Sequence, residues 1–304
     1  GLPSTAAIAM LARTSQRGTA IAKKIRWTEF PHSDPKFDYA GTKLAKAWKK
    51  LHAGDLEPFP DEARVAALLK KNPKLGKAAQ AGEIAAALAE AWRAFHRGDF
   101  QNAYEAGSAL GPLGASVAIK AAGIHATHLL DDDKAREKRY AELGTLAEAA
   151  IAALPDEANS HYRHAFALGR YSQSISIAKA LTQGLAGKVR DSLQRTLELA
   201  PDHAEAHTAL GLYHAEVVSK VGGLIAGLTY GAKPAIGESL LKRAIELTPD
   251  SPIAHIEYGN GLMLLFGSKK EDQTAGEYEK AARCKPLDAM EKLDAEYAAS
   301  QIED

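Results

Sequence analysis

Histidine is the residue type in this chain best suited to chemistry, with eleven copies in 304 residues. Three pairs are spaced to share one face of a helix: His203 with His207 at i, i+4, and His161 with His164 and His125 with His128 at i, i+3. Two imidazoles placed in this way are half of a zinc site. The hydrolytic version of that site needs glutamate directly after the first histidine. Residues 203–207 read HAEAH, with Glu205 in the middle, so the signature fails. His161, His207 and His255 also recur at one equivalent repeat position, which spreads them along the chain instead of gathering them. No metal site is expected.

Other reactive patterns fail on similar grounds. TQGLAGKV at 182–189 has threonine where a phosphate loop needs its first glycine and Val189 where it needs a magnesium-binding hydroxyl. The glycine-rich stretch 222–231 has no strand before it, which removes a dinucleotide reading and leaves no cofactor expected. No G-x-S-x-G elbow is present. Cys284, the single cysteine, lies between Arg283 and Lys285 on the expected last repeat helix. A small buried packing residue is the expected role, and a thiol pKa lowered by those cations is the alternative. With one cysteine there is no intrachain disulfide, as suits a cytoplasmic protein, or a periplasmic one whose leader has been removed. Non-enzymatic binding is the expectation.

Net charge gives no general attraction to nucleic acid, because 38 Lys and Arg balance 38 Asp and Glu. The ends differ, however: residues 1–50 carry ten basic side chains against Glu29, Asp34 and Asp38, and the last eighteen carry six acids against Lys292. No apolar run reaches the eighteen or more residues of a transmembrane helix, so a soluble protein is expected.

The elements that must position any site are helices. Alanine, leucine, glutamate and lysine recur at i, i+3, i+4, and alternating β-branched runs are missing. The chain also repeats itself. AWKKLHAGD at 47–55 and AWRAFHRGD at 91–99 each end a helix on Gly-Asp, where the glycine can turn the chain and the aspartate can cap the next helix. Further on, Pro155, Pro201, Pro249 and Pro286 each follow a helical segment and open a new one. The first three intervals are 46, 48 and 37 residues, longer than the roughly 34 of a tetratricopeptide repeat. The excess falls between the two helices of a unit, in inserts 171–188 and 217–237.

AIELTPDS at 244–251 and ALGLYHA at 209–215 resemble the closing segment and the small-residue crossing of tetratricopeptide repeats. In register, the close-packing position falls on Ala165, Gly211 and Gly259, and the large aromatic position on His161, His207 and His255, a departure from the family. With the long apolar inserts, residues 140–290 resemble two groups: the regulator of microtubule dynamics proteins, and the periplasmic T-components associated with tripartite substrate-binding transporters. The resemblance implies an all-α, right-handed superhelical solenoid of tetratricopeptide-like helix pairs with long intra-repeat inserts. The expected array of five to seven pairs occupies 37–304 and is most regular over 155–290. Residues 1–36 form a basic arm or capping helix.

In such an array the first helix of each pair lines a concave groove. Register places Tyr162, Phe166, Arg170, Thr208, Leu212, Glu216, Ile256, Asn260 and Met263 there, with Tyr171, Gln173 and Lys220 beside them at the starts of the inserts. Receptors for a chaperone's terminal carboxylate need lysine and asparagine here, and only Asn260 fits. An apolar floor with few charges suits a peptide or partner protein. The alternative is a hydrophobic, lipid-like small ligand, as the transporter-associated relatives suggest. Insert residues Val221, Leu224, Ile225 and Leu228 would then form a lid, or else pack on the convex side.

Overall fold

The computed structural model describes residues 24–302, and the chain there is helical, with no strand among the described residues. The basic segment expected to be an arm or capping helix lies mostly outside these residues. Its described part, 24–34, is not helical: Pro31 and Pro35 interrupt it, and a single 3-10 turn follows at Pro35–Phe37. Aromatic anchors strap it down instead. Trp27 packs on Tyr104 and His125 with the buried Arg139 guanidinium 4.5 Å from its ring, and Phe30 fills the space beside Gly98.

Fifteen α-helices follow among the described residues. They are α1 Lys43–Leu51, α2 Glu62–Lys71, α3 Ala81–His96, α4 Phe100–Ala109, α5 Ala115–Leu129, α6 Asp133–Ala153, α7 Ala158–Ser174 and α8 Ile177–Thr182. After these come α9 Leu185–Leu199, α10 Ala204–Val221, α11 Gly223–Tyr230, α12 Pro234–Leu247, α13 Pro252–Phe266, α14 Glu271–Arg283 and α15 Ala289–Ile302. Five antiparallel pairs succeed one another: α3 with α4, α5 with α6, α7 with α9, α10 with α12, and α13 with α14. The two inserts are short helices, α8 and α11, held between the members of their pairs.

The repeat prolines end helices but do not begin them. Leu154, Ala200 and Thr248, each just before a proline, share one extended conformation with φ between −135 and −141° and ψ between 62 and 84°. Steric clash with the following ring forces it. Pro155, Pro201 and Pro249 then stand in two-residue turns, and the next helix starts three residues on. Caps do the starting: His203 Nδ1 and Ser251 Oγ accept the backbone N–H of Ala206 and Ala254. The histidines at the aromatic repeat position close these turns. Nε2–H of His161, His207 and His255 donates to the carbonyl of Pro155, Pro201 and Pro249 at 2.7, 2.8 and 2.7 Å. Phenylalanine has no such donor, which gives the departure from the family a physical reason.

Close packing occurs where small residues were expected. A Cβ on Gly211 would stand 2.7 Å from Leu241 Cγ and 3.0 Å from the Gly237 carbonyl, so α10 and α12 touch backbone to backbone. Gly259 similarly meets Tyr278 on α14.

The pairs do not run out to two separated ends. The last helix, α15, returns to the first: Ala289, Met290 and Leu293 share a core with Leu44, Trp48, Trp92 and Phe95, and Tyr39 donates to the Leu287 carbonyl. His96 and His128 bind Asp288 and Asp294 of this closing segment at 2.7 and 2.9 Å. Helix α15 thereby packs across the side of the array that its first helices face.

A closed helical cavity as the candidate functional site

The expected groove is deepened into an open-mouthed cavity of about 800 Å³, lined by α5, α7, α10 and α13, by α15, by α8 and α9, and by Tyr230 at the end of α11. Ten of the sequence-derived residues line it: Tyr162, Phe166, Arg170, Gln173, Thr208, Leu212, Glu216, Lys220, Asn260 and Met263. Ile256 does so too. Tyr171 does not. Because α7 runs unbroken to Ser174, residue 171 turns about 100° away from Arg170, and its ring packs against Ala126, Leu130 and Tyr140.

Of the four insert residues for which a lid and convex packing were both open, only Val221 reaches the cavity. Gly222, at φ +79°, turns the chain outward after α10, and α11 is anchored by the buried Ala226. Val221 and Tyr230 reach the cavity, but Leu224, Ile225 and Leu228 point away from it into solvent. The apolar rim is supplied instead by Ile177, Ala180 and Leu181 of α8.

The floor is charged, contrary to the expectation of few charges, and its charges are consumed internally. After α1 the His-Ala-Gly-Asp turn inserts into the middle of the ring. The Gly54 carbonyl accepts Glu205 N–H from α10, and the Asp55 carbonyl accepts Asn159 Nδ2 from α7. Leu56, a non-glycine residue at φ +46°, reverses the backbone behind it, a strained conformation that the surrounding bonds enforce. The Asp55 carboxylate, fully buried, accepts Lys120 Nζ at 2.6 Å, Arg163 at 2.7 Å and His52 Nδ1 at 2.8 Å. Burial by itself would raise its pKa, but Lys120, His52 and Arg163 together hold it well below the usual carboxylate range. Lys120 and Arg163 are raised in turn, burial being outweighed mainly by Asp55. Asp55 is thus a hub and not the helix cap its motif suggests. Asp99 in the second copy likewise makes no side-chain cap bond.

Behind the hub the two motif copies meet. His52 Nε2 lies 3.2 Å from His96 Nε2, while the Nδ1 atoms serve Asp55 and Asp288. Burial takes the His52 pKa down to about 4.

The far wall carries Arg170 3.7 Å from Glu257, whose pKa burial raises, and Asn260, which donates to Glu257 and accepts from Tyr278. At the rim Gln173 donates to Glu216 at 2.7 Å. Between floor and rim the walls are Ile124, Phe166, Leu212, Val217, Ile256 and Met263. The arrangement is an apolar barrel with polar groups at its ends, most of them already paired, and it positions no nucleophile against a free base.

The histidine pairs do not converge. His203 bonds Asn159, His207 the Pro201 carbonyl, His164 Ser192, His161 the Pro155 carbonyl, His128 Asp294, and His125 the Thr28 N–H. Among the described residues no three histidine, cysteine or acidic side chains are grouped to hold a metal ion. Cys284 stands just past the end of α14, and its pKa is pushed up to about 11 by burial, with Glu291 and Asp250 adding to it, which is against the alternative of a thiol activated by Arg283 and Lys285.

Sequence reasoning missed Asp55, Lys120, Arg163, Glu205 and Asp294. One signal was present: Lys120 is the single charge in ASVAIKAAGIHATHL, and a lone lysine in so apolar a helix needs a buried counter-charge.

Fold and site together define an all-helical protein with a large, mainly apolar-walled cavity. The family model of the regulator of microtubule dynamics protein 1-3 matches residues 115–221. That stretch runs from α5 through α10 and holds most of the cavity wall. It supports the resemblance to that family seen in the repeats, beginning earlier and ending sooner than the 140–290 expected. No curated protein matches the chain. No described helix is long and apolar enough to cross a membrane.

Proposed function

We propose that this chain is a non-enzymatic binding protein, a tetratricopeptide-like array wound shut, whose cavity holds an elongated apolar ligand. The carrying observation is the cavity: about 800 Å³, walled by aliphatic and aromatic side chains. That volume lies in the roughly 300–1,000 Å³ range of sites that swallow a small molecule. A carrier reading also accounts for the paired floor, because polar groups that already satisfy one another demand nothing of an apolar ligand's tail.

The second reading is a scaffold for a peptide or partner protein, as the description of the matched family favours. It needs the same walls, with an apolar helix face in place of the ligand.

Native mass spectrometry of protein purified without detergent tests both. Copurified apolar mass, lost when Ala209→Trp fills the cavity wall, supports the carrier. A ligand-free protein that takes up no fluorescent fatty acid or phospholipid overturns it.

A further inference from the structure

Five large apolar side chains among the described residues are more than half exposed: Ile177 (55%), Leu181 (51%), Leu224 (77%), Ile225 (54%) and Leu228 (81%). All five stand on α8 and α11, the two helices inserted within pairs. Both helices border the same cavity, α8 through Ile177 and Leu181 and α11 through Tyr230. Their charge is equally one-sided. Segments 171–188 and 217–237 contain Lys179, Lys188, Lys220 and Lys233 and no acidic residue, in a chain whose charges cancel as a whole. Lys179 and Lys220 lie near Glu137 and Glu216, at 3.1 and 3.8 Å, whereas Lys188 and Lys233 have no carboxylate within ion-pair distance among the described residues.

We propose that the two inserts form one docking face for an anionic lipid bilayer. Exposed leucines this concentrated mark an interaction surface. Acid-free, lysine-bearing flanks match a negatively charged headgroup layer, into whose acyl boundary short apolar helices insert. On α11 Ala226 faces the protein, so the exposed Leu224, Ile225 and Leu228 enter the membrane together. Docking in this way sets the cavity mouth against the bilayer. Passage of an apolar ligand through that mouth rests on the cavity reading above, while docking itself does not.

The test is flotation of the whole chain with vesicles of phosphatidylcholine, with and without phosphatidylserine. Binding is expected only with phosphatidylserine. It should weaken as salt is raised from about 0.1 M to about 1 M, which shortens the screening length from about 10 Å to about 3 Å. The double variant Leu224→Ser/Leu228→Ser should bind at least about tenfold more weakly with an unchanged melting temperature, since both side chains are exposed. Lys188→Glu/Lys233→Glu should lose the preference for phosphatidylserine. The proposal is overturned by absent binding to anionic vesicles, or by leucine variants that float like the parent. It is equally overturned if sedimentation shows a dimer or a bound protein that those leucine changes abolish. Mass spectrometry on the leucine variant separates the two readings: cargo kept while docking is lost supports a docking face distinct from the cavity, and docking with no cargo overturns the cavity reading alone.

Discussion

Replacing Asp55 with asparagine should be among the most damaging single changes of nearly equal volume in this protein. Its carboxylate is the nearest counter-charge to two buried cations, Lys120 and Arg163, at 2.6 and 2.7 Å, and both are at least 96% buried. The next carboxylates stand further off: Glu205 at 3.8 Å from Lys120 and 4.0 Å from Arg163, and Glu57 at 3.9 Å from Arg163. Glu57 is a poor substitute because burial raises its pKa. An amide with Oδ1 toward the two cations turns its NH2 toward His52, donor against donor. Removing one partner of a buried ion pair costs about 3–5 kcal/mol, and Glu205 limits the loss to that range although two cations are affected. Against a total stability of about 5–15 kcal/mol, the variant should approach unfolding. Urea denaturation followed by far-ultraviolet circular dichroism measures it, and an unchanged dependence on denaturant would confirm that the native state is what lost stability. Adding Lys120→Met to Asp55→Asn should recover about 1 kcal/mol or more through coupling. A cost below about 1 kcal/mol for Asp55→Asn would refute the hub, since it would mean the cations are stabilised by other groups.

Stability should peak near pH 6.5. Burial depresses His52, His125 and His203 to about 4, 4 and 3, so the folded state keeps them neutral while the unfolded chain protonates below 6.5. Their contribution is complete above that value and is lost as pH falls toward 4. Glu291 runs the other way: burial, then Asp288, raises it to about 8, so its contribution is complete below 4.5 and is lost as pH rises through 8. Melting temperatures across this range check both limbs, and Glu291→Gln should flatten the alkaline one. Gly211→Ala should cost about 1–3 kcal/mol in denaturant titration, because the new methyl is driven against Leu241 and the Gly237 carbonyl. Glu216→Ala at the rim should change stability by no more than about 0.5 kcal/mol while altering ligand retention. Arg170→Ala should cost more than Glu216→Ala, because it also strips the buried Glu257 of its cation.

The helices, their breaks and their repeat register were legible in the sequence, because each depends on residues close together in the chain. Proline forces the residue before it out of the helix, and alanine-rich segments at helical spacing have one face to bury. The same register, counted from Pro155, Pro201 and Pro249, points to nine residues that line the cavity. Tyr171 falls outside the cavity because α7 runs on as helix to Ser174, and lid and convex packing stayed open for α11 because an insert's composition does not say on which side of Gly222 the chain turns. Closure was decided by tertiary structure alone. His96 meets Asp288 across 192 residues, and Lys120 and Arg163 find Asp55 across 65 and 108. Such pairings leave no periodic trace, since what selects them is the cost of burying a charge without its opposite, and that cost exists only once the ring has formed.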